Sequence, residues 1–392
     1  MRTPPGSGTH GVERPIGGAV MPETRRPHLH RDGATARQAR TTGAADGPGG
    51  VVHRGAPRRG RALTRRGAPL AVGLVASLLL TGCGAQVQKD AASGAEKTIE
   101  NCGRSSTYPT PQKAVAYDVS AIEKMFSLGL AEQMRGIVLP QTVSSVIEKS
   151  PYKEDYGRTE TISDTVLGQE AVVSAQADWV FAGWQAGFSE ARGVTPDSLQ
   201  GVGINSYMQH ETCKGYQGDT SDPDPLDATN ADLKDLGTIF GVEDRAQELV
   251  GQLEEKRRAL QEAPRPENPA RVFVYDSGTS EPYTAGRRTA LNGMVELAGA
   301  TSVTKDLDAR WDTVGWESVV TSEPQAIVVV DYNKQPVQEK LDYLKNESPV
   351  KDSPAVKNGN IYVMDYGEAV SSPRNMDGAQ KLADYLRSKG LR

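Results

Sequence analysis

The sequence is poor in the residues on which many enzymes and metal sites depend. Three cysteines and five histidines occur in 392 residues, and four of the histidines are His10, His28, His30 and His53. Beyond residue 53 only His210 remains, which excludes a zinc site with two or three histidine ligands there. No phosphate-binding P-loop, dinucleotide fingerprint or Cys-x-x-Cys pair is present. A catalytic triad would have to use His210, and we disfavour such a triad.

The sequence also lacks an apolar run long enough to cross a bilayer. The run from Leu70 has about 12 residues, too few for a helix across a core of ~30 Å. Arginines precede it, and Thr81-Gly82-Cys83 follows it. This arrangement resembles a bacterial lipobox, so we expect cleavage before Cys83 and a diacylglycerol on its sulfur. The alternative is an ordinary signal peptide with a chance cysteine.

Cysteine use agrees with an extracytoplasmic location. Lipidation of Cys83 leaves Cys102 and Cys213 in an oxidising compartment. We predict a disulfide between them, and the alternative is two separate buried thiols.

Positive charge is concentrated at the N-terminus. Residues 1–69 hold 13 arginines, no lysine and four acids, a charge of +9, whereas the whole chain has −5, which leaves −14 for the remainder. We predict a disordered basic region at 1–69 and interpret it as an over-extended translation start with the basic part of a signal peptide. The acidic remainder argues against nucleic acid as a partner.

Alternating strands and helices indicate an α/β fold with parallel sheets. The predicted strands are Ala114–Tyr117, Gly136–Leu139, Trp179–Gly183, Val202–Tyr207, Val272–Tyr275, Ile327–Val330 and Ile361–Met364. The predicted helices are Val119–Leu128, Gln169–Ala175, Asp244–Glu262, Leu291–Ala298 and Trp316–Val320, with a break at Gly241-Val242. The predicted divisions are a signal core and lipobox at 70–82, a lipidated tether at 83–97, an N-terminal lobe at 98–228, a linking helical segment at 229–265 and a C-terminal lobe at 266–392.

One stretch of sequence occurs twice. Glu170-Ala-Val-Val-Ser resembles Glu317-Ser-Val-Val-Thr, and each is followed by a turn and an apolar strand. A carboxylate in the first turn of a helix is favoured by the helix dipole, so each glutamate alone is explained by helix initiation. Their equivalent positions in two lobes suggest paired contacts.

Several short motifs together resemble a known family. They are Asn101-Cys102-Gly103, Ala177-Asp178-Trp179 through Trp184, Pro282-Tyr283-Thr284-Ala285-Gly286, Trp311 six residues before Glu317, and Ser372-Pro373-Arg374. In order and spacing they resemble the substrate-binding lipoproteins of ABC importers for ferric siderophores, haem and cobalamin. The resemblance implies two Rossmann-like lobes, a single long helix joining them, and a ligand cleft between them.

The resemblance also implies roles for individual residues. Glu170 and Glu317 would dock onto arginines of the permease, which works with its ATPase. The expected ligand-binding residues are Trp184, Tyr283, Arg287, Arg288, Trp311, Arg374, Tyr117, Asp118 and Ser120. Aromatic faces suit a large, partly apolar chelate, and arginines suit its anionic oxygens.

The resulting prediction is a monomeric, lipid-anchored receptor without catalytic residues, a bound cofactor or its own metal site. It would capture a metal chelate, most of all a ferric siderophore, and the alternatives within the class are cobalamin, haem and a deazaflavin precursor. A different class remains open, an exported enzyme that uses Glu170 and Glu317 as acid and base, which requires carboxyl groups about 5–9.5 Å apart. A third alternative is a structural surface protein with a degenerate cleft.

Overall fold

The computed structural model describes residues 96–392, and an antiparallel hairpin begins this part of the chain. Strands β1 (Lys97–Asn101) and β2 (Arg104–Tyr108) meet at a turn in which Cys102 and Gly103 have φ of 49° and 71°. Positive φ at both turn residues matches the natural twist of a two-residue hairpin. Cys83, the predicted signal and nearly all of the predicted tether lie outside the described residues.

A parallel sheet forms the centre of the first lobe. Its strands are ordered β5–β4–β3–β6–β8, and the short β7 pairs with the end of β6. The strands are β3 (Ala114–Tyr117), β4 (Met134–Val138), β5 (Thr161–Ser163), β6 (Trp179–Trp184), β7 (Gly187–Phe188) and β8 (Asn205–Met208). The helices are α1 (Asp118–Ser127), α2 (Val146–Lys149), α3 (Lys153–Arg158), α4 (Gln169–Ser174) and α5 (Pro196–Gln200).

The strands of this lobe follow the apolar runs of the sequence. β3 coincides with its predicted range, and β6 is one residue longer than predicted. Val115 and Phe181 are fully buried, because elements packed on both faces of a parallel sheet make its strands apolar throughout. β8 begins three residues after the predicted start at Val202, since Val202 lies in the turn after α5.

Two helices in a hairpin lie between the lobes, so the implied single helix is not confirmed. They are α6 (Pro225–Phe240) and α7 (Glu243–Glu262). The predicted break is confirmed at Gly241, whose φ of 70° ends α6 in a left-handed cap. Arg257, near the end of α7, pairs with Asp227 in the first turn of α6, which makes the two helices antiparallel.

α7 bridges the two lobes. Its first turn is held to the first lobe, where Arg245 donates to the carbonyl of Ser127 at 3.2 Å. Its later turns pack against the second lobe, where Lys256 pairs with Asp377 at 2.5 Å. A helix of 20 residues spans about 30 Å, enough to fix the spacing of two lobes.

The second lobe has a parallel sheet ordered β11–β9–β13–β14 and a separate antiparallel pair, β10 with β12. The strands are β9 (Arg271–Tyr275), β10 (Tyr283–Ala285), β11 (Thr301–Ser302), β12 (Trp311–Thr313), β13 (Ala326–Asp331) and β14 (Ile361–Asp365). The helices are α8 (Ala290–Leu297), α9 (Trp316–Thr321), α10 (Val337–Asn346), α11 (Pro354–Lys357), α12 (Tyr366–Ala369) and α13 (Asn375–Ser388). The predicted strands in this lobe are confirmed to within one residue at each end.

The internal repeat is confirmed in three dimensions. α4 leads into β6 and α9 leads into β13, and each strand is central to its lobe. The residue just before each of these strands accepts, through its side chain, a hydrogen bond from a backbone N–H at the start of the neighbouring strand. Asp178 accepts from the N–H of Lys113 at 3.0 Å, and Gln325 accepts from the N–H of Arg271 at 3.1 Å. The two lobes therefore begin their central strands in the same way.

The predicted disulfide is present. Cys102 and Cys213 are joined with their Cα atoms 5.0 Å apart and 111 residues between them in sequence. The bond fastens the β1–β2 turn to the segment that follows β8. In the chain-entropy account, closing a loop of this length stabilises the fold by about 4–5 kcal/mol.

The fold is therefore α/β with a parallel sheet in each of two lobes, as predicted. Among residues 96–392, no helix is both long enough and apolar enough to cross a bilayer.

Candidate ligand-binding cleft

The carboxyl ends of the parallel strands from both lobes meet at a cleft of about 430 Å³. Asp118 and Trp184 reach it from the ends of β3 and β6, and Tyr366 reaches it from the end of β14. Open α/β sheets bind ligands beyond the carboxyl ends of their strands, and the volume is within the usual range for small-molecule sites.

Aromatic side chains form opposite walls of this cleft. Trp184 belongs to the first lobe, where its backbone N–H donates to Oγ1 of Thr212 at 2.8 Å and its ring lies 4.8 Å from that of Tyr216. Tyr283 and Trp311 belong to the second lobe and stack at 6.1 Å with 24° between their planes. The β10–β12 ladder pairs Tyr283 with Thr313 and Ala285 with Trp311, so backbone hydrogen bonds fix both rings.

Three cations line the cleft near one rim. Arg288 and Lys214 each lie beside Asp308, at 3.3 Å and 3.5 Å. Arg310 pairs with Glu211 of the first lobe at 3.3 Å. The pairs of Lys214 with Asp308 and of Arg310 with Glu211 cross from lobe to lobe, whereas Arg288 and Asp308 both belong to the second lobe. The cations that line the cleft outnumber its lining carboxylates.

Asp118 forms the floor of the cleft. Its backbone has a φ of 64°, and its carboxylate accepts from the N–H of Val119 at 2.7 Å. The hydroxyl of Tyr366 donates to the same carboxylate at 3.0 Å, which joins the lobes at this point. Burial raises the pKa of Asp118. Ser120 lies beside it and accepts from the side chain of Gln209 at 3.1 Å.

Six of the nine predicted ligand-binding residues line the cleft, and three do not. The six are Asp118, Ser120, Trp184, Tyr283, Arg288 and Trp311. Tyr117 packs against Gly187, behind the cleft surface. Arg287 lies outside the lining and pairs with Asp222 at 2.7 Å and Asp308 at 2.5 Å.

Arg374 also lies outside the lining, in a buried ionic network between the lobes. It is 8% exposed and pairs with Asp365 at 2.9 Å and with Glu123 of the first lobe at 3.4 Å. Its guanidinium lies against Gly367, where a Cβ would collide with it. In this position Arg374 holds the lobes together and does not face a ligand.

Sequence reasoning missed several residues of the lining. Glu211, Lys214, Arg310 and Tyr366 all face the cleft. Arg310 and Lys214 could have been predicted from the sequence, because they are next to Trp311 and Cys213, which were predicted. Tyr366 had one too, because it follows the predicted strand Ile361–Met364 as Asp118 follows β3. Glu211 had none, because its partner Arg310 is 99 residues away.

The residues present offer poor ligation to a bare metal ion. Among the described residues one cluster has metal-binding spacing, Cys102, Cys213 and Asp219, but its two sulfurs are joined in the disulfide. His210 lies outside the cleft, where its Nδ1 is 2.9 Å from both Asp232 and the hydroxyl of Tyr207. The lining contains no histidine, cysteine or methionine.

Glu170 and Glu317 are both exposed, and each is the second residue of its helix. Since α4 and α9 run back from the carboxyl edge of each sheet, their first turns lie at the edge that carries the cleft. The two glutamates belong to different lobes.

Comparisons with known proteins agree with this architecture. The sequence profile of the periplasmic binding protein family matches residues 196–366, from α5 to the start of α12. A vitamin B12-binding protein of Pectobacterium atrosepticum is 24% identical over 236 residues, which are 57% of this chain and 73% of that protein.

Two solved structures show the same fold. An ABC-type Fe³⁺-hydroxamate transport protein of Saccharomonospora viridis has a TM-score of 0.62 at 22% identity, over 74% of this chain and 98% of that one. A periplasmic haem-binding protein of Roseiflexus sp. RS-1 has a TM-score of 0.56 at 22% identity, over 71% and 98%. The relatives are binding proteins, not enzymes, and the fold is shared by proteins named for three kinds of ligand.

Proposed function

We propose that the chain is a substrate-binding protein of the periplasmic binding protein family and that it captures a ferric siderophore outside the cytoplasmic membrane. It delivers the chelate to an ABC permease and its ATPase as a monomer held to the membrane by lipid on Cys83. Glu170 and Glu317 dock it onto the permease, one glutamate from each lobe.

The observation that carries the choice of ligand is the composition of the cleft. Four aromatic side chains and three cations line it, against two carboxylates. Aromatic faces favour the flat or apolar body of a chelate, and arginine and lysine favour its anionic oxygens. Because no three His, Cys, Asp or Glu side chains of the described residues converge in the cleft, the metal would arrive already chelated.

Fluorescence titration of the mature protein tests this proposal. Trp184 and Trp311 line the cleft, so ligand entry should quench tryptophan emission. The probes are a ferric hydroxamate, a ferric catecholate, a ferric carboxylate chelate, haem and cyanocobalamin, each beside its iron-free or cobalt-free counterpart where one exists. We expect saturable binding of one ferric chelate at micromolar concentration or tighter.

Each other outcome decides against part of the proposal. Binding of haem or cyanocobalamin alone would replace the siderophore with that ligand, and binding of none would refute a chelate ligand. Tyr283→Ala should weaken the observed binding at least about tenfold, because the ring forms one wall of the cleft. Tyr385→Ala, on α13 and outside the lining, is the matched control.

A further inference from the structure

Few large apolar side chains are exposed in residues 96–392. Most of the exposed ones lie close in sequence to Glu170 or Glu317. The exposed ones are Val166 at 48%, Val173 at 37%, Val202 at 37%, Val320 at 43% and Val363 at 38%. Three of the five lie within four residues of Glu170 or Glu317. Scattered exposed valines need no explanation, but valines repeated at equivalent positions do.

The repeat places one valine in the same relation to each glutamate. Val173 follows Glu170 by three residues on α4, and Val320 follows Glu317 by three residues on α9. Side chains three apart on a helix are neighbours on one face. Each helix therefore presents a carboxylate with an exposed apolar side chain beside it.

The preceding residue explains how each helix is held. Val172 and Val319 are buried, at 0% and 1% exposure, in the apolar core of their own lobe. In each repeat, the first of the two adjacent valines anchors the helix to the core and the second faces outward. The outward valine is 37% exposed in the first lobe and 43% exposed in the second, so part of its apolar surface is free to contact a partner.

The carboxylates beside these valines are available to a partner. Within the described part of the chain, neither Glu170 nor Glu317 takes part in a salt bridge or a side-chain hydrogen bond. Both helices begin at the cleft edge of their sheets. A surface that repeats across two lobes matches a partner with two equivalent sites.

We propose that Val173 and Val320 complete two equivalent docking surfaces, each made of one glutamate and one valine, for the two subunits of the permease. Each permease site would have a basic rim for the carboxylate and an apolar floor for the valine. The glutamates speed the encounter, and the valines exclude water from the contact and lengthen its lifetime. This inference rests on the proposed docking function.

Site-specific photo-crosslinking in cells that contain the native transporter tests the inference. A photoreactive residue is placed at position 173, 320, 202 or 363 of the full chain, and captured proteins are identified by mass spectrometry. We expect positions 173 and 320 to capture the same multi-spanning subunit of an ABC importer. The matched positions 202 and 363 are equally exposed and should not capture it. Equal capture at all four, or different proteins at 173 and 320, would overturn the inference.

Substitutions in the other lobe separate this inference from the docking proposal. The yield of the crosslink from position 173 is measured in Val320→Ser, Glu317→Gln and Val202→Ser backgrounds. We expect Val320→Ser to lower the yield about fivefold or more, because it removes buried apolar surface, and Val202→Ser to leave it unchanged. If Glu317→Gln lowers the yield and Val320→Ser does not, the valine inference fails and docking stands. If neither lowers it, the docking function itself fails.

Discussion

At the residue scale, the most consequential buried charge is Lys124 of α1. Its ammonium is fully buried and has three acceptors: Asp232 at 2.7 Å, Gln209 at 3.1 Å and Ser371 at 3.1 Å. Asp232 is equally buried. Burial acts to raise the pKa of Asp232, but the positive charge of Lys124 acts in the opposite direction, and the resulting pKa is about 2. Since this value is below that of an unfolded aspartate, the ionised carboxylate stabilises the native state above about pH 4. That stabilisation is lost as the pH falls through about 2.

Lys124→Met should therefore destabilise the protein strongly at pH 7. It removes the buried ammonium beside Asp232 and leaves only His210 and Tyr207 as side-chain partners of that carboxylate, which costs about 3–5 kcal/mol. The free energy of unfolding in urea measures the effect. Lys256→Met is the matched control, because its pair with Asp377 is about half exposed on both sides and should be worth less than about 1 kcal/mol. Similar losses in the two variants would contradict this account.

The same lysine shows what the sequence could not reveal at this scale. In the chain Lys124 is an ordinary helical lysine, and its partners are 85, 108 and 247 residues away. Arg374 was misplaced for the same reason, since Glu123 is 251 residues distant. Trp184 was predictable because its position follows from strand β6 alone. Side chains placed by one local element can be predicted, and those placed by distant charges cannot.

At the element scale, the α6–α7 hairpin depends on one close contact. Gly237 of α6 faces Ala246 of α7, and a Cβ at position 237 would lie 2.5 Å from the Cβ of Ala246. Gly251 of α7 is exposed and has no neighbour within 4 Å of such a Cβ. The two helical glycines therefore differ only in what faces them.

Gly237→Ala and Gly251→Ala should change stability in opposite directions. The first forces the helices apart and should cost about 1–3 kcal/mol, as overpacking does. The second gains helix propensity and should stabilise by about 0.5–1 kcal/mol. Thermal unfolding of the two variants beside the parent protein measures both. A stabilising Gly237→Ala would mean that the helices do not pack this closely.

The elements also show which patterns a sequence reveals. β3, β6, β9 and β13 were predictable because strands covered on both faces are apolar over most of their length, with Arg271 and Asp331 only at the ends of β9 and β13. β10 and β12 were not, because Tyr283-Thr284-Ala285 and Trp311-Asp312-Thr313 are short and mixed in polarity. Their pairing sets one wall of the cleft. The cleft geometry was therefore less predictable than the sheets that support it.

At the scale of the whole molecule, polar contacts hold the two lobes together. Lys149 of the first lobe pairs with Asp331 of the second, and Glu123 pairs with Arg374. Glu123 is buried at this interface, where Ser150 donates to its Oε1 at 2.6 Å. Its other oxygen has no partner among the described residues, and Tyr152 and Tyr156 lie nearby. Asp365 adds a second negative charge to the same cluster.

Glu123 should make the stability of the two-lobed unit depend on pH. Burial, opposed in part by Arg374, raises the pKa of Glu123 to about 7. Because the folded protein then holds a proton that the unfolded chain releases near pH 4.5, stability should fall as the pH rises from about 5 to about 7. The shift corresponds to about 3 kcal/mol.

Glu123→Gln mimics the protonated acid. Its free energy of unfolding should therefore match that of the parent protein at pH 5 and exceed it by about that amount at pH 8. Urea unfolding at both pH values measures the difference, and exposed Glu255→Gln should show no such trend. A difference between Glu123→Gln and the parent that stays constant from pH 5 to pH 8 would mean that Glu123 is ionised throughout, with Arg374 compensating its burial in full.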